Sequence, residues 1–224
     1  MKRALLALMI LAAPLHAEVV VALGDSITRG VRDGVGPDQT FAAVLQTLLK
    51  AKKFDAEVVN VGVGGERTDQ ALKRLDGDVI ARKPKIVIVM YGHNDSHFDT
   101  GKSEPRLPIA DFEKNLSAIV GQLRKAGIEP ILMTPPRGGE GWKNGNGVNP
   151  NAKLGEYSQA IRKVAADTKS PLVDHYAHWL KREKEGVKLA EWTTDQYHAN
   201  ARGHIEMAEL MLPVVAELLA KPPR

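Results

Sequence analysis

The chain has 224 residues, no cysteine, and 31 Lys and Arg against 27 Asp and Glu, a formal charge of +4. Its length suits one hydrophobic core, and the lack of cysteine excludes disulfides and a cysteine-linked lipid anchor. Charges of both signs interleave, as in Lys181-Arg182-Glu183-Lys184-Glu185, which makes a solvated surface and not an electrostatic footprint for nucleic acid.

Lys2-Arg3, the apolar stretch from Ala4 to Ala13 and the small-residue Leu15-His16-Ala17 read as an export leader. Residues 1–17 are therefore expected to be a signal peptide and 18–224 a single domain, periplasmic or secreted. No apolar run reaches the about 20 residues that span a bilayer, so no stable membrane anchor is expected. Val19–Leu23 is β-branched and apolar and ends in Gly24-Asp25-Ser26. Phe41, Val44, Leu45, Leu48 and Leu49 recur at helical spacing, with the basic Lys50–Lys53 where the helix dipole favours cations. Val58–Val61 is the next strand, leading into Gly62-Val63-Gly64-Gly65, and a helix is expected near 69–82. Ile86–Met90 leads into Gly92-His93-Asn94-Asp95, and Phe112, Leu116, Ile119, Val120 and Leu123 mark another helical stripe.

Ile131–Met133 is a fourth strand, followed by a stretch from Pro135 to Pro150 with glycines at 138, 139, 141, 145 and 147 around Trp142. A loop of that length leaving a strand end is expected to wall or cover a site. A helix near 152–168, a strand at Leu172–Val173 and a helix near 201–220 complete the chain. Strands alternating with helices predict an α/β fold, a three-layer α/β/α doubly wound parallel sheet of about five strands. In such sheets ligands bind at the carboxyl ends of the strands, where the polar motifs fall.

Those motifs carry chemistry. A serine at the end of a buried strand supplies a nucleophile, and Asp195-Gln196-Tyr197-His198 lets one loop present a carboxylate and an imidazole together. Metal and nucleotide cofactors are not expected. His93 and His97 have a helical zinc spacing, but Asn94 stands where a glutamate is needed, and His175 and His178 are only three apart. Gly62-Val63-Gly64-Gly65-Glu66-Arg67 ends in Arg67 where a dinucleotide fingerprint needs glycine.

In order, Gly24-Asp25-Ser26, Asn60-Val61-Gly62-Val63-Gly64-Gly65, Gly92-His93-Asn94-Asp95 and Asp195-Gln196-Tyr197-His198 resemble the four blocks of the SGNH hydrolase family, the GDSL esterases and lipases. Ile27 replaces the leucine of the family's name, Gly64 replaces a frequent serine, and Thr28 rules out a Gly-x-Ser-x-Gly elbow. The resemblance implies a flavodoxin-like fold and a serine esterase working through an acyl-enzyme. Ser26 would be the nucleophile, His198 the base and Asp195 its orienting partner. The backbone N–H groups of Ser26 and Gly65 and the Asn94 amide would form the oxyanion hole. The third block looks most like carbohydrate acetylesterases, so the expected partner is a small-molecule or glycan ester with a short acyl group. A lysophospholipase or thioesterase is the alternative, and a non-catalytic glycan-binding module a third reading. Trp142, Trp179 and Trp192 are candidates to stack on sugar rings, with a place in the core the alternative for most of them. His93, Arg67 and Arg137 are candidates to line the substrate rim. Arg29 joins the two other arginines as a candidate to hold a carboxylate of an acidic sugar.

Overall fold

The apolar runs pair side by side in a computed structural model that describes residues 17–222. Strands β1 (Glu18–Gly24), β2 (Ala56–Asn60), β3 (Ile86–Met90), β4 (Glu129–Thr134) and β5 (Leu172–Asp174) form one parallel sheet in the order β2-β1-β3-β4-β5. Alternate side chains leave opposite faces, so each face carries its own core. Val20, Ala22, Ile88 and Met133 pack with Phe41, Leu45, Met207 and Met211, which belong to α2 (Phe41–Ala51) and α7 (Ala201–Leu219). Val21, Leu23, Val89 and Leu132 pack with Phe112, Leu116, Tyr157 and Ile161, which belong to α4 (Ile109–Lys125) and α5 (Asn151–Thr168). The expected three layers follow from this alternation. The order reverses between β1 and β3, and a crevice opens where such a sheet switches direction. Ser26 and the Gly92–Asp95 turn follow those two strands.

Helix ends obey local chemistry. Thr40 caps α2 by accepting from Ala43 N at 3.3 Å, and Asn200 caps α7 by accepting from Gly203 N at 3.1 Å. The helical run expected near 69–82 is there but changes winding: α3 spans Thr68–Arg74, Leu75–Val79 is a wider π turn and Ile80–Arg82 a tight 3-10 turn. Asp76, Gly77 and Asp78 are weak α-helix formers, which accounts for the change. Sequence periodicity missed α6 (His175–Lys184), whose lone buried stripe of His175 and Trp179 is outnumbered by charge. Its start is set by Asp174, which accepts from Ala177 N at 3.0 Å.

For two of the three tryptophans the core alternative holds. Trp179 and Trp192 are fully buried and meet edge to face at 5.2 Å, so they fill the core beneath α7 instead of meeting sugar. The expected leader lies outside the described residues, apart from Ala17. Among those described, no helix is long and apolar enough to cross a membrane.

Candidate active site

Ser26 opens the single-turn helix α1 (Ser26–Arg29) directly after β1. The turn is tight because a Cβ on Gly24 would overlap the Thr28 hydroxyl and the Met90 carbonyl. Asp25 stabilises it, accepting from Ile27 N at 2.9 Å. Asn60 then fastens the second motif onto the same turn: its Nδ2 donates to Thr28 O at 2.6 Å and its Oδ1 accepts from Gly62 N at 2.9 Å. The contact is so close that a Cβ on Gly62 would overlap the Arg29 backbone nitrogen. Gly65 follows in a left-handed conformation, φ 77°, which glycine adopts at no steric cost. Behind it, buried Glu66 accepts two bonds from Arg74 at 2.6 Å and one from the Tyr91 hydroxyl at 2.6 Å.

The third motif turns back toward the serine. Asn94 Nδ2 donates to Asp25 Oδ2 at 3.2 Å, and its Oδ1 accepts from Arg106 Nη1 at 3.4 Å. Those two contacts fix which end of the amide is the donor. Buried Asp95 accepts from the Thr68 backbone and hydroxyl at 2.9 and 2.8 Å and ties the turn to α3.

The fourth motif arrives from the other side of the sheet. Thr193 and Ala199 bridge its ends, Thr194 N donates to His198 O at 2.9 Å, and Gln196 takes φ 81° at its tip. This folding turns both side chains inward. Asp195 Oδ1 accepts from His198 N at 2.9 Å, while its Oδ2 lies 2.7 Å from His198 Nδ1. His198 Nε2 lies 2.9 Å from Ser26 Oγ, 172 residues away in sequence. With Asp195 ionised, Nδ1 carries the ring proton and Nε2 accepts from the serine hydroxyl. Such an arrangement can draw a proton from Ser26 as its oxygen attacks.

A cleft of ≈ 200 Å³ opens over this group, lined by Ser26, His93, Asn94, His97, Arg106, Trp142, Lys143 and Tyr197. The loop from Pro135 to Pro150 forms its wall. Trp142 stacks on Tyr197 at 5.1 Å, and Tyr197 lies 3.9 Å from the His198 ring. Asn151 pins the wall by exchanging both backbone bonds with Gly138 at 2.9 and 2.8 Å, and Gly139 N donates to Gln196 O at 2.6 Å. The wall and the His198 loop thus share a peptide contact.

Burial sets the protonation of the groups behind the cleft. His93 is lowered to about 3 by desolvation, so its ring is neutral, and Nε2 donates to Pro136 O at 2.9 Å. Desolvation raises Asp25 from 3.8 to about 7 and Asp95 from 3.8 to about 6. A carboxyl with a raised folded pKa stabilises the fold most at low pH and loses that contribution as pH rises through the folded value. The urea midpoint of the wild-type chain is therefore expected to fall from about pH 4 to about pH 7. Asp25→Asn, with no proton to release there, should show a shallower fall. An equally steep fall would place the titration on other groups.

Not every residue expected at the rim lies there. Arg137 pairs with Glu183 at 3.2 Å and sits over the Tyr176 ring, away from the cleft lining. Arg67 pairs with Asp69 at 2.9 Å, and Arg29 packs its guanidinium against Gly64. His93 and Trp142 do line the cleft. Its cations are Arg106 and Lys143, which strand-end position alone did not identify, and Arg32 reaches Asp195 from outside it. Among the described residues, no group of three or more His, Asp and Glu side chains could hold a metal ion.

A profile of the GDSL-like Lipase/Acylhydrolase family matches residues 22–204. An acetylxylan esterase of Geobacillus stearothermophilus is 28% identical over 208 residues, covering 87% of this chain and 92% of that protein. An uncharacterized lipoprotein of Bacillus subtilis (strain 168), YqeF, is 30% identical over 203 residues, covering 78% of this chain and 76% of that one. Among solved structures, the acetyl xylan esterase AlAXEase superposes with a TM-score of 0.73 at 28% identity, covering 88% of this chain and 99% of that chain. The profile runs from the middle of β1 to the start of α7 and takes in all four motifs, so the chain belongs to the GDSL-like lipase/acylhydrolase (SGNH) family of carboxylic ester hydrolases.

Proposed function

We propose that the chain is a serine esterase that removes short acyl groups, acetyl foremost, from carbohydrate hydroxyls. The observation that carries this reading is the relay from Ser26 Oγ to His198 Nε2 at 2.9 Å and from Nδ1 to Asp195 at 2.7 Å, opening on a small polar cleft. His198 takes the hydroxyl proton as Ser26 Oγ bonds to the ester carbonyl carbon, then gives it to the leaving alcohol oxygen. Asp195 orients the ring and stabilises the imidazolium. The N–H groups of Ser26 and Gly65 and the Asn94 amide stabilise the tetrahedral oxyanion. Water, deprotonated by the same imidazole, then releases the acid and restores Ser26.

The cleft supports the short acyl group and the polar alcohol. Its apolar lining is confined to Trp142 and Tyr197, and ≈ 200 Å³ suits a short acyl group better than a long one. His93 donates through Nε2 to Pro136 O at 2.9 Å and packs its ring against Trp142 at 5.1 Å, so it shapes the polar wall beside Ser26. The acetylxylan esterases among the relatives fit the same substrate class. In this reading residues 1–17 are an export leader and 18–224 one domain that meets glycans outside the cytoplasm.

Nitrophenyl esters from acetyl to dodecanoyl, followed by acetate release from acetylated xylan, test it. A maximum at acetyl with acetate released from the glycan is expected. A maximum at octanoyl or longer would assign the chain to lipid or thioester substrates. Glycan binding without hydrolysis of any ester would make it a binding module.

A further inference from the structure

Asp195 is not the sheltered carboxylate that a relay of this kind suggests. Its side chain is 38% exposed, and the oxygen that accepts from His198 Nδ1 at 2.7 Å also accepts from Arg32 Nη2 at 2.8 Å. Arg32 is held by its backbone. Arg32-Asp33-Gly34-Val35 is a tight turn in which Arg32 and Val35 exchange bonds at 3.2 and 2.9 Å, with Gly34 at φ 79°. The turn follows Gly30, where a Cβ would crowd Thr40 and the His204 ring. One short segment after β1 thus touches the fourth motif twice, through Ser26 on the imidazole and through Arg32 on the carboxylate.

We infer that Arg32 is a positioning residue that fixes the Asp195 oxygen facing the imidazole and offsets its charge, so that His198 releases its proton at a lower pH than the Asp195 pairing alone would allow. The inference rests on the serine-esterase reading. A carboxylate beside an imidazole favours the charged ring, and a guanidinium two hydrogen bonds away opposes that bias. Other titratable or charged groups surround the ring. Tyr197 lies against it on its own loop, Ser26 and Asp25 belong to the turn after β1, and Arg106 lines the cleft. Buried His204 of α7 lies behind Arg32. Arg32 is the charged side chain among these that bonds the carboxylate holding the ring; Tyr197 reaches it with its backbone N–H at 3.4 Å, on the other oxygen. A mobile surface arginine would be largely screened. This one is held by its turn and shares an oxygen with the imidazole.

The test is the pH profile of kcat/KM on an acetyl ester, read beside the pH titration of the His198 ring by NMR in Ser26→Ala. Arg32→Gln keeps a donor for Asp195 but removes the charge. It is expected to move the acid limb and the ring titration up by about half to one pH unit. Arg32→Lys, which keeps the charge, should stay within about 0.3 pH unit of the wild type. An unmoved limb in Arg32→Gln, or equal shifts in both variants, would overturn the inference, as would a lower plateau with no shift. If Arg32→Gln does not fold, the ring titration in Arg32→Met carries the same expectation. The serine-esterase reading fails separately, through full activity in Ser26→Ala.

Discussion

Ser26→Ala is expected to lower kcat on an acetyl ester by about 10⁴–10⁶, and His198→Ala to do the same. The size of the loss follows from the geometry. The Ser26 hydroxyl is bonded at 2.9 Å to the imidazole that deprotonates it in the proposed route. Without either group the covalent route closes, and what remains comes from the oxyanion donors and binding. The double variant should be no slower than the slower single one, because the two groups act as a unit. Asn94→Ala, which removes one oxyanion donor and leaves the covalent route intact, should cost only about 10²–10³. The fold should survive Ser26→Ala, since the α1 turn is held by Asp25 and Asn60 and by Gly30 N donating to Ser26 O at 3.0 Å. Saturation kinetics beside thermal melting check both halves. More than a tenth of wild-type kcat in Ser26→Ala would remove that serine from the reaction.

Arg74→Ala is expected to cost about 3 kcal/mol of stability, close to the lower limit for breaking a buried ion pair because the arginine keeps a face to water. Glu66 is 5% exposed and takes two of its three 2.6 Å bonds from Arg74, the charged ones. Arg74 also donates to Val61 O at 2.8 Å, so the guanidinium joins the end of the second motif to α3. Removing it leaves a buried carboxylate with the Tyr91 hydroxyl for company. Burial and that carboxylate already hold the Tyr91 phenol well above its ordinary pKa, so it cannot share the charge by ionising. The penalty is therefore one of unpaired charge, which a second substitution can test. Glu66→Gln in the Arg74→Met background removes both charges and keeps an acceptor for Tyr91. It should recover most of the lost stability in urea melts. Recovery of less than half would assign the loss to packing. Because Glu66 follows Gly65, kcat should fall together with stability in Arg74→Ala.

The sheet, most helices and the four motif positions were legible in sequence because each rests on a local pattern. Buried parallel strands read as runs such as Ile86–Met90, and α2, α4, α5 and α7 carry continuous apolar stripes. Asp195-Gln196-Tyr197-His198 was readable because three residues of spacing fit one loop turn. What stayed hidden depends on partners distant in the chain. Arg32 lies in a polar stretch, and nothing local says that Asp195, 163 residues away, will bond it. Arg106 is likewise given its place by Asn94 and by Asp99 at 2.7 Å. Position after a strand end suggested Arg67 and Arg137 for the rim, but side-chain direction is decided by Asp69 and Glu183, which capture them first. Trp179 and Trp192 stayed open between two readings for a related reason: composition cannot tell an aromatic anchor of the core from a platform for ligand.

The peptide contact between Gly139 and Gln196 has an evolutionary consequence. Because the wall and the loop carrying His198 share that tie, an insertion between 136 and 139 would disturb reactivity and reach together. The far tip is fastened elsewhere, with Gly145 N on Phe98 O at 3.1 Å and Asn146 on Gly101 and Lys102 at 2.8 Å. Length can therefore vary from 143 to 148 while the reaction centre stays fixed, and new tastes in alcohol can arise along that hem without relearning the chemistry.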